Sequence, residues 1–475
     1  MLVLALNLNS AILFVSTRCE GFSVNATPPV STSKKFSWRA CPKWLVRTLT
    51  VSAISLGVLG VSLAFFLNSK PFQKREFSAE EASAFNKQER ISALVAGLPD
   101  LTRPVNILVL GTIVLTSDRP ALANLDDRYF QQVNNDLDGH SDAILLIRFD
   151  PVKQKISVIS IPRDTLTLVP GLGMTKINSA NFVGGAPLAA RTVSKLLGGV
   201  PIDRYVRVNV KGFNQLIDAL GGVEVYVPKD MKYQDDSQRL YINLKVGKQV
   251  LDGDKAVQYM RFRQDDLGDV GRVQRQQAFI RALIEQKLNI ETVAKIPELL
   301  NILHENLDTN LTVEEMLALG GFAAKVGRRD TRLVMLPGRF SSNAEYSMSY
   351  WLVDEQAVAR MMFEHFDLPI ADLKALPPAN LQNLRLAVQD SLHDPQRTSA
   401  LQKLLVELGY SQVQSIDNPE LPVLAKTQII AQNGDRSAAE AIQQALGIGE
   451  VVVESTGYIY SDVTIRLGKD WAHSP

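Results

Sequence analysis

The stretch YMRFRQDDLGDVGRVQRQQ, from Tyr259 to Gln277, holds four arginines and three aspartates in nineteen residues. An arginine fork can donate to two oxygens of one phosphate, so this density has phosphate chemistry open to it. Read as a strand, YMRFR puts Arg261 and Arg263 on one side, since side chains repeat every second residue. A helix opening near Gly271 puts Arg272, Arg275 and Gln276 on one side, three and four apart. Its free N–H groups would add to an anion site. The linking QDDLGDVG suits a tight loop. The competing reading is an ion-paired surface in which Asp265, Asp266 and Asp269 satisfy the arginines locally.

A second cluster favours the phosphate site. ISVISIPRDT ends an apolar strand in Pro162, Arg163 and Asp164, and TKIN adds Lys176 and Asn178. Ligand groups in open α/β sheets gather at the carboxyl ends of strands. HSDAILL places His140 and Asp142 at the start of another strand, and DPVKQ reads as the turn between the two. An antiparallel pair would bring both ends to one edge. Asp142 and Asp269 can then hold a hard cation, Mg²⁺ or Mn²⁺, together with phosphate oxygens. The chain contains no Walker loop, HExxH, GxSxG or CxxC, and its five histidines are scattered.

The elements that must position these groups are legible in outline. VNILVLG, AILLIRF and KISVISI read as strands, LAARTVSKLLG and FNQLIDALGG as helices, and VEVYV and RLVMLPG as strands again. Strands alternating with helices give an α/β domain over 104–338. Residues 339–381 read as a linker with a helix near Asp354 to Phe366. Residues 382–471 read as two small βαβ-like units, a second α/β domain. Before these, 68–103 is polar and charged, has helical spacing in EEASAFNKQERISALVAGL, and reads as a juxtamembrane stalk.

LTVSAISLGVLGVSLAFFL, residues 49–67, carries no charge. At about 1.5 Å rise per residue it crosses a bilayer core of roughly 30 Å. Lys34, Lys35, Arg39, Lys43 and Arg47 precede it, which places 1–48 in the cytoplasm and the rest outside, periplasmic or extracellular, on a single-pass anchor in the cell (inner) membrane. The two cysteines, Cys19 and Cys41, both precede the span. Net charge is +1, from 51 basic and 50 acidic residues, which excludes a generic nucleic-acid binder.

The order LVLG, SDAILL, SIPRDT, KIN and RFR–acidic loop–GDVGRVQRQQ resembles the LytR-CpsA-Psr family of cell-envelope proteins over Pro104 to Gly338. GVPIDRYVRVNVKGFNQLIDALGGVEVYVP and LDGDKAVQYMRFR look like the same family, and Leu384 to Trp471 is similar to its C-terminal module. The resemblance implies an α-β-α sandwich with a mixed central sheet and a long apolar pocket for a polyprenyl tail. It also implies a Mg²⁺-dependent phosphotransferase that moves a glycopolymer from a polyprenyl-pyrophosphate carrier to peptidoglycan. Arg163, Arg261, Arg263, Arg272 and Gln276 match its pyrophosphate-contacting positions. Asp142 and Asp269 match its acidic positions near the metal. Asp164 is a candidate to orient Arg163 or to take a proton from the acceptor hydroxyl. Two positions depart from the pattern. Ile113 stands where family members carry an aspartate, for which Asp118 could substitute, and His140 stands for an arginine. A hydrolase acting on the same lipid-linked substrate, and a non-catalytic envelope regulator that binds it, remain the alternatives.

Overall fold

Between Phe72 and Arg103 the chain is built into the domain and does not form the helical stalk expected of 68–103. Among the segment's described residues only α1, Ala79–Ala82, is helical, opened by a capping box in which Ser78 and Glu81 each bond the other's backbone N–H. Two strands follow, β1 (Ser92–Val95) and β2 (Leu98–Leu101), paired antiparallel. Pro99 bars a helix interior there. Phe72, Phe85 and Ile91 are buried in three different apolar clusters of the domain and draw the segment onto it.

The structure is a computed structural model. It describes residues 72–471 apart from 87–89, 96–97, 114–136, 228, 237–239, 264–268, 288, 327–329, 343, 370–383, 418–420, 422, 433–435 and 459. The apolar run 49–67, the basic segment before it and Asp118 lie outside these. Among the described residues no helix is long and apolar enough to cross a membrane.

The three apolar runs form an antiparallel meander: β3 (Val105–Ile113), β4 (His140–Asp150) and β5 (Lys155–Ile161). The β4–β5 turn is the one that DPVKQ suggested. The Asp150 carboxylate accepts from the N–H groups of Val152 (3.1 Å) and Lys153 (2.9 Å). A hairpin, β6 (Leu166–Val169) with β7 (Gly173–Lys176), leads into α2 (Ser179–Leu196). That helix is broken at Gly184 and Gly185, where Gly185 takes φ +61°, a value glycine adopts without steric cost. β8 (Arg204–Asn209) then runs parallel to β3.

A separate core follows. It is enclosed by α3 (Val210–Ala219), by the antiparallel pairs of β9 (Val223–Val227) with β12 (Gly247–Leu251) and β10 (Met231–Asp235) with β11 (Leu240–Leu244), and by α4 (Gly253–Arg261) and α5 (Asp269–Lys287). Here one expectation is overturned: YMRFR is not a strand but the end of α4 and the residues after it. Asp252 caps the helix, accepting from Lys255 N–H at 2.9 Å. Ala256 and Tyr259, three apart, are buried on one face. That spacing, with the cap, outweighs the short alternation.

The sheet is completed after α6 (Ile290–Ala294) and α7 (Ile296–Leu303). β13 (Leu307–Thr309) joins β8 antiparallel, and after α8 (Val313–Lys325) β14 (Thr331–Met335) joins β5 parallel. The order is β13-β8-β3-β4-β5-β14, a mixed sheet. Leu108, Leu110, Ile144, Leu146 and Ile159 share one cluster with buried α2 residues. Val105, Ile107, Ile156 and Val158 share another with α8 and with Ile280 and Ile284 of α5. Each fully buried side chain of this kind contributes about 1.5–3 kcal/mol. A surface ion pair contributes about 0–1 kcal/mol, so the apolar layers hold the sheet.

Of the expected linker 339–381, the helix near Asp354 to Phe366 forms, and the residues up to Phe366 pack into the core. β15 (Gly338–Phe340) pairs with β16 (Trp351–Val353), α9 (Glu355–Phe366) follows, and Trp351 is 1% exposed. The C-terminal units form a five-stranded sheet from β17 (Arg385–Asp390), β18 (Gln412–Ser415), β19 (Gln428–Ala431), β20 (Glu450–Val453) and β21 (Val463–Leu467), in the order β18-β17-β21-β19-β20. α10 (Pro395–Glu407) and α11 (Arg436–Leu446) are its crossovers. Ser455 joins it to β14, its Oγ accepting from Met335 N–H at 2.6 Å and its N–H donating to Leu333 O at 3.0 Å.

One buried ion pair locks α8 to the sheet. Arg204 Nε and Nη2 donate to Glu315 Oε2 and Oε1 at 3.1 and 2.6 Å, with both residues buried. Glu315→Ala leaves the guanidinium buried without its carboxylate, so urea unfolding should show a loss of about 3–5 kcal/mol. A loss below about 1 kcal/mol, the scale of a surface pair, contradicts this.

Candidate functional site

Four strands, β3, β5, β8 and β14, end at one edge of the sheet, and β4, running the other way, begins there. Arg163 and Asp164 follow β5 directly. At the start of β4, Gly111 pairs with Ala143 while Thr112 pairs with Ser141, so Asp142 is an extra residue in a β-bulge. A bulge re-aims a side chain. The Asp142 carboxylate meets Arg163 Nη1 at 2.5 Å.

Asp164 is the centre of the site. It is 4% exposed, and its carboxylate takes Lys176 Nζ at 2.8 Å, Arg272 Nη2 at 3.0 Å and Arg163 Nε at 3.4 Å. Arg272, from the first turns of α5, is 5% exposed. The backbone holds the loop still: Trp351 N–H donates to Asp164 O at 2.9 Å, and Asn178 N–H to Arg163 O at 3.3 Å. Asn178 also accepts from Ser141 N–H through its carbonyl at 3.4 Å, so it staples the β5 loop to β4.

Arg261, the last residue of α4, belongs to the same field. Burial pushes its guanidinium below the usual arginine range; Asp142 and Asp235 oppose the shift, and Arg163 and Arg263 add to it. Among the described residues, Lys176, Arg163, Arg261, Arg263 and Arg272 therefore stand against Asp142, Asp164 and Asp235, more cations than carboxylates at one edge. Such a field suits an anion with several oxygens. Gln276 is half-buried on α5, one turn beyond Arg272.

Arg275 was expected among the ligand groups and is placed otherwise. It is 6% exposed, donates to the Phe262 carbonyl and lies over the Phe262 ring at 5.3 Å. It fastens α5 to the end of α4 and so sets Arg261 and Arg263. His140 stacks on Phe182, centroids 4.8 Å apart. Ile113 ends β3 opposite His140.

Sequence reading missed the layer beneath. Arg207 on β8 meets Asp308 Oδ2 through Nε at 2.8 Å and Nη2 at 2.6 Å, and Asp138 Oδ1 at 3.0 Å. Asn181 donates to Leu137 O and Gly139 O at 3.1 and 2.7 Å, which ties down the segment leading into β4. The signal available was RYVRVN, an otherwise apolar strand whose arginines each require a carboxylate. Gln277 was also passed over. It is 3% exposed, and its carboxamide has no hydrogen-bond partner among the described residues.

Among the described residues, no three His, Cys, Asp or Glu side chains come together as a metal site. Asp142 is the one described carboxylate of the expected set, and it is paired with Arg163. Asp269 is the first residue of α5, but its side chain, like all of Asp118, lies outside the described residues.

The LytR_cpsA_psr family model matches residues 67–366, and the model described as LytR cell envelope-related transcriptional attenuator matches 383–471. The chain is 37% identical over 198 residues to the polyisoprenyl-teichoic acid–peptidoglycan teichoic acid transferase TagV of Bacillus subtilis, covering 39% of this chain and 50% of that one. It is 35% identical over 201 residues to the regulatory protein MsrR of Staphylococcus aureus, covering 42% and 60%. The match thus spans little more than half the length of these relatives. Among solved structures, that of B. subtilis TagV is similar at 29% identity and a TM-score of 0.45, covering 56% of this chain and 99% of that one.

If Asp164 is the hub, Asp164→Asn removes the buried charge that Arg163, Lys176 and Arg272 share and costs about 3–5 kcal/mol in chemical denaturation. Asp142→Asn should cost less, because its pair keeps contact with water. Equal losses would contradict the assignment.

Proposed function

The chain belongs to the LytR_cpsA_psr family, and on that basis we propose that it transfers a glycopolymer from a polyprenyl-pyrophosphate carrier to peptidoglycan. The observation that carries the reading is the buried Asp164 carboxylate, which turns Arg163, Lys176 and Arg272 toward one edge beside Arg261. Relatives named as teichoic acid transferases supply the substrate class.

In this reading the donor's pyrophosphate lies among Arg163, Arg261 and Arg272, with Arg263 and Gln276 at the rim. An acceptor hydroxyl attacks the phosphorus nearer the sugar. Its O–P bond forms as the bond to the bridging oxygen breaks, and polyprenyl phosphate leaves with the displaced electron pair. The hydroxyl proton balances that phosphate. Phosphoryl transfer needs alignment and charge neutralisation more than a covalent partner, and arginine forks supply both. Asp164 has both oxygens engaged by cations, so its role here is positioning and not proton abstraction. A Mg²⁺ ion bound with the donor, held by Asp142 and Asp269, would neutralise further charge on the phosphates. The run 49–67 would anchor the chain in the cell membrane with the catalytic domain outside, a topology supported by the basic residues before it.

Full-length protein given a polyprenyl-pyrophosphoryl sugar, Mg²⁺ and a peptidoglycan oligomer should yield a phosphodiester-linked product and polyprenyl phosphate. Free phosphosugar in its place points to a hydrolase, and no turnover to a binding protein. Arg261→Ala should lower the rate by about 10²–10³-fold, the scale of losing one positioned charge donor.

A further inference from the structure

The hairpin β6–β7 leaves the catalytic edge directly after Arg163 and Asp164, and its outer end is unusual for a turn in water. Such turns favour glycine, proline and short polar residues. Here Leu168, Leu172 and Met174 are 43%, 44% and 63% exposed. Leu168 and Met174 are direct cross-strand partners, so they lie side by side on one face. Two residues nearer the site, the same face carries Leu166 opposite Lys176, and Lys176 holds Asp164. That face runs from a phosphate-site cation to an apolar tip. The other face is packed, with Val169 fully buried. Nearby in sequence to Tyr350, whose ring lies under Lys176 at 5.5 Å, are Tyr346 and Met348, both exposed.

A second observation concerns the path of the chain. Phe72 sets its ring edge-on to His304 at 5.7 Å, just before β13. Leu307 of β13 pairs with Val208, one residue from the catalytic end of β8. The Phe72 carbonyl accepts from Thr309 N–H at 3.3 Å, so the first described residue is held against β13.

We propose that the β6–β7 tip is a membrane-contact element. Leu168, Leu172 and Met174 enter the boundary between headgroups and acyl chains of a bilayer and hold the cation cluster at the depth of a lipid-linked phosphate. The proposal rests on the lipid-linked donor of the preceding reading. A bilayer is the occupant rather than a protein, because a narrow tip with three apolar side chains falls far short of the roughly 800 Å² per partner of a stable interface. Interfacial insertion needs only exposed apolar groups at such a boundary.

The test uses the full chain with Cys19→Ser and Cys41→Ser, and an environment-sensitive dye on Leu172→Cys. The protein is reconstituted in phosphatidylcholine–phosphatidylglycerol vesicles. Val152→Cys, in the β4–β5 turn at the opposite end of the sheet, is the control; Val152 is 80% exposed. At 172 the emission should shift to shorter wavelength and be quenched by lipids spin-labelled near the headgroup, while 152 stays accessible to aqueous iodide. Iodide quenching at 172 equal to that at 152 overturns the proposal. So does a 172–172 cross-link in detergent, which would assign the tip to a second copy. Because the dye reports without turnover, a failed transfer assay would count against the donor chemistry alone.

Discussion

The site depends on the buried carboxylate of Asp164. Three cations from three places in the chain converge on it: Arg163 beside it, Lys176 from the β6–β7 hairpin and Arg272 from α5. Bringing these charges together without a counter-ion would be costly at this depth. With it, the guanidinium groups are fixed in position before any ligand arrives, which is the condition for stabilising charge that develops during a reaction.

Everything that surrounds Asp164 serves to deliver those partners. β5 carries Arg163 and Asp164 to the edge, and the bulge in β4 turns Asp142 to meet Arg163. α5 is held on several sides: Phe279 belongs to the core of the β9–β12 hairpins, Ile280 and Ile284 pack toward the sheet, and Arg281 pairs with Glu454 of the C-terminal module at 2.8 Å. Its start is therefore set by three separate packing contacts, and Arg275 fixes its relation to α4. The C-terminal module shares the main apolar cluster with the six-stranded sheet, so it acts as a brace on that helix and not as a tethered appendage.

Much of this was legible from local sequence. SIPRD after an apolar run, HSDAILL before one and DPVKQ between them sufficed to bring Arg163 and Asp142 to one edge, because an antiparallel turn leaves no other arrangement. The five-residue alternation of YMRFR misled, being too short to outweigh the helix signalled by Asp252 with Ala256 and Tyr259. Arg275 reads as a ligand group but binds the Phe262 carbonyl, since a helix enclosed by several cores gives no single polar face from which to read direction. The carboxylates of Arg204 and Arg207, Glu315 and Asp308, lie about a hundred residues further on and come close only through the sheet order. EEASAFNKQERISALVAGL, residues 80–98, has helical spacing, yet its end forms strand, because Ser92–Val95 finds a partner in Leu98–Leu101.

The most direct measurement is a crystal structure of the protein with a short-chain prenyl pyrophosphate carrying one sugar. The account predicts both phosphorus atoms among the guanidinium groups of Arg163, Arg261 and Arg272, with the Arg272–Asp164 and Lys176–Asp164 pairs intact. A pyrophosphate bound elsewhere, or one that breaks those pairs to be held by Arg272 alone, would contradict it.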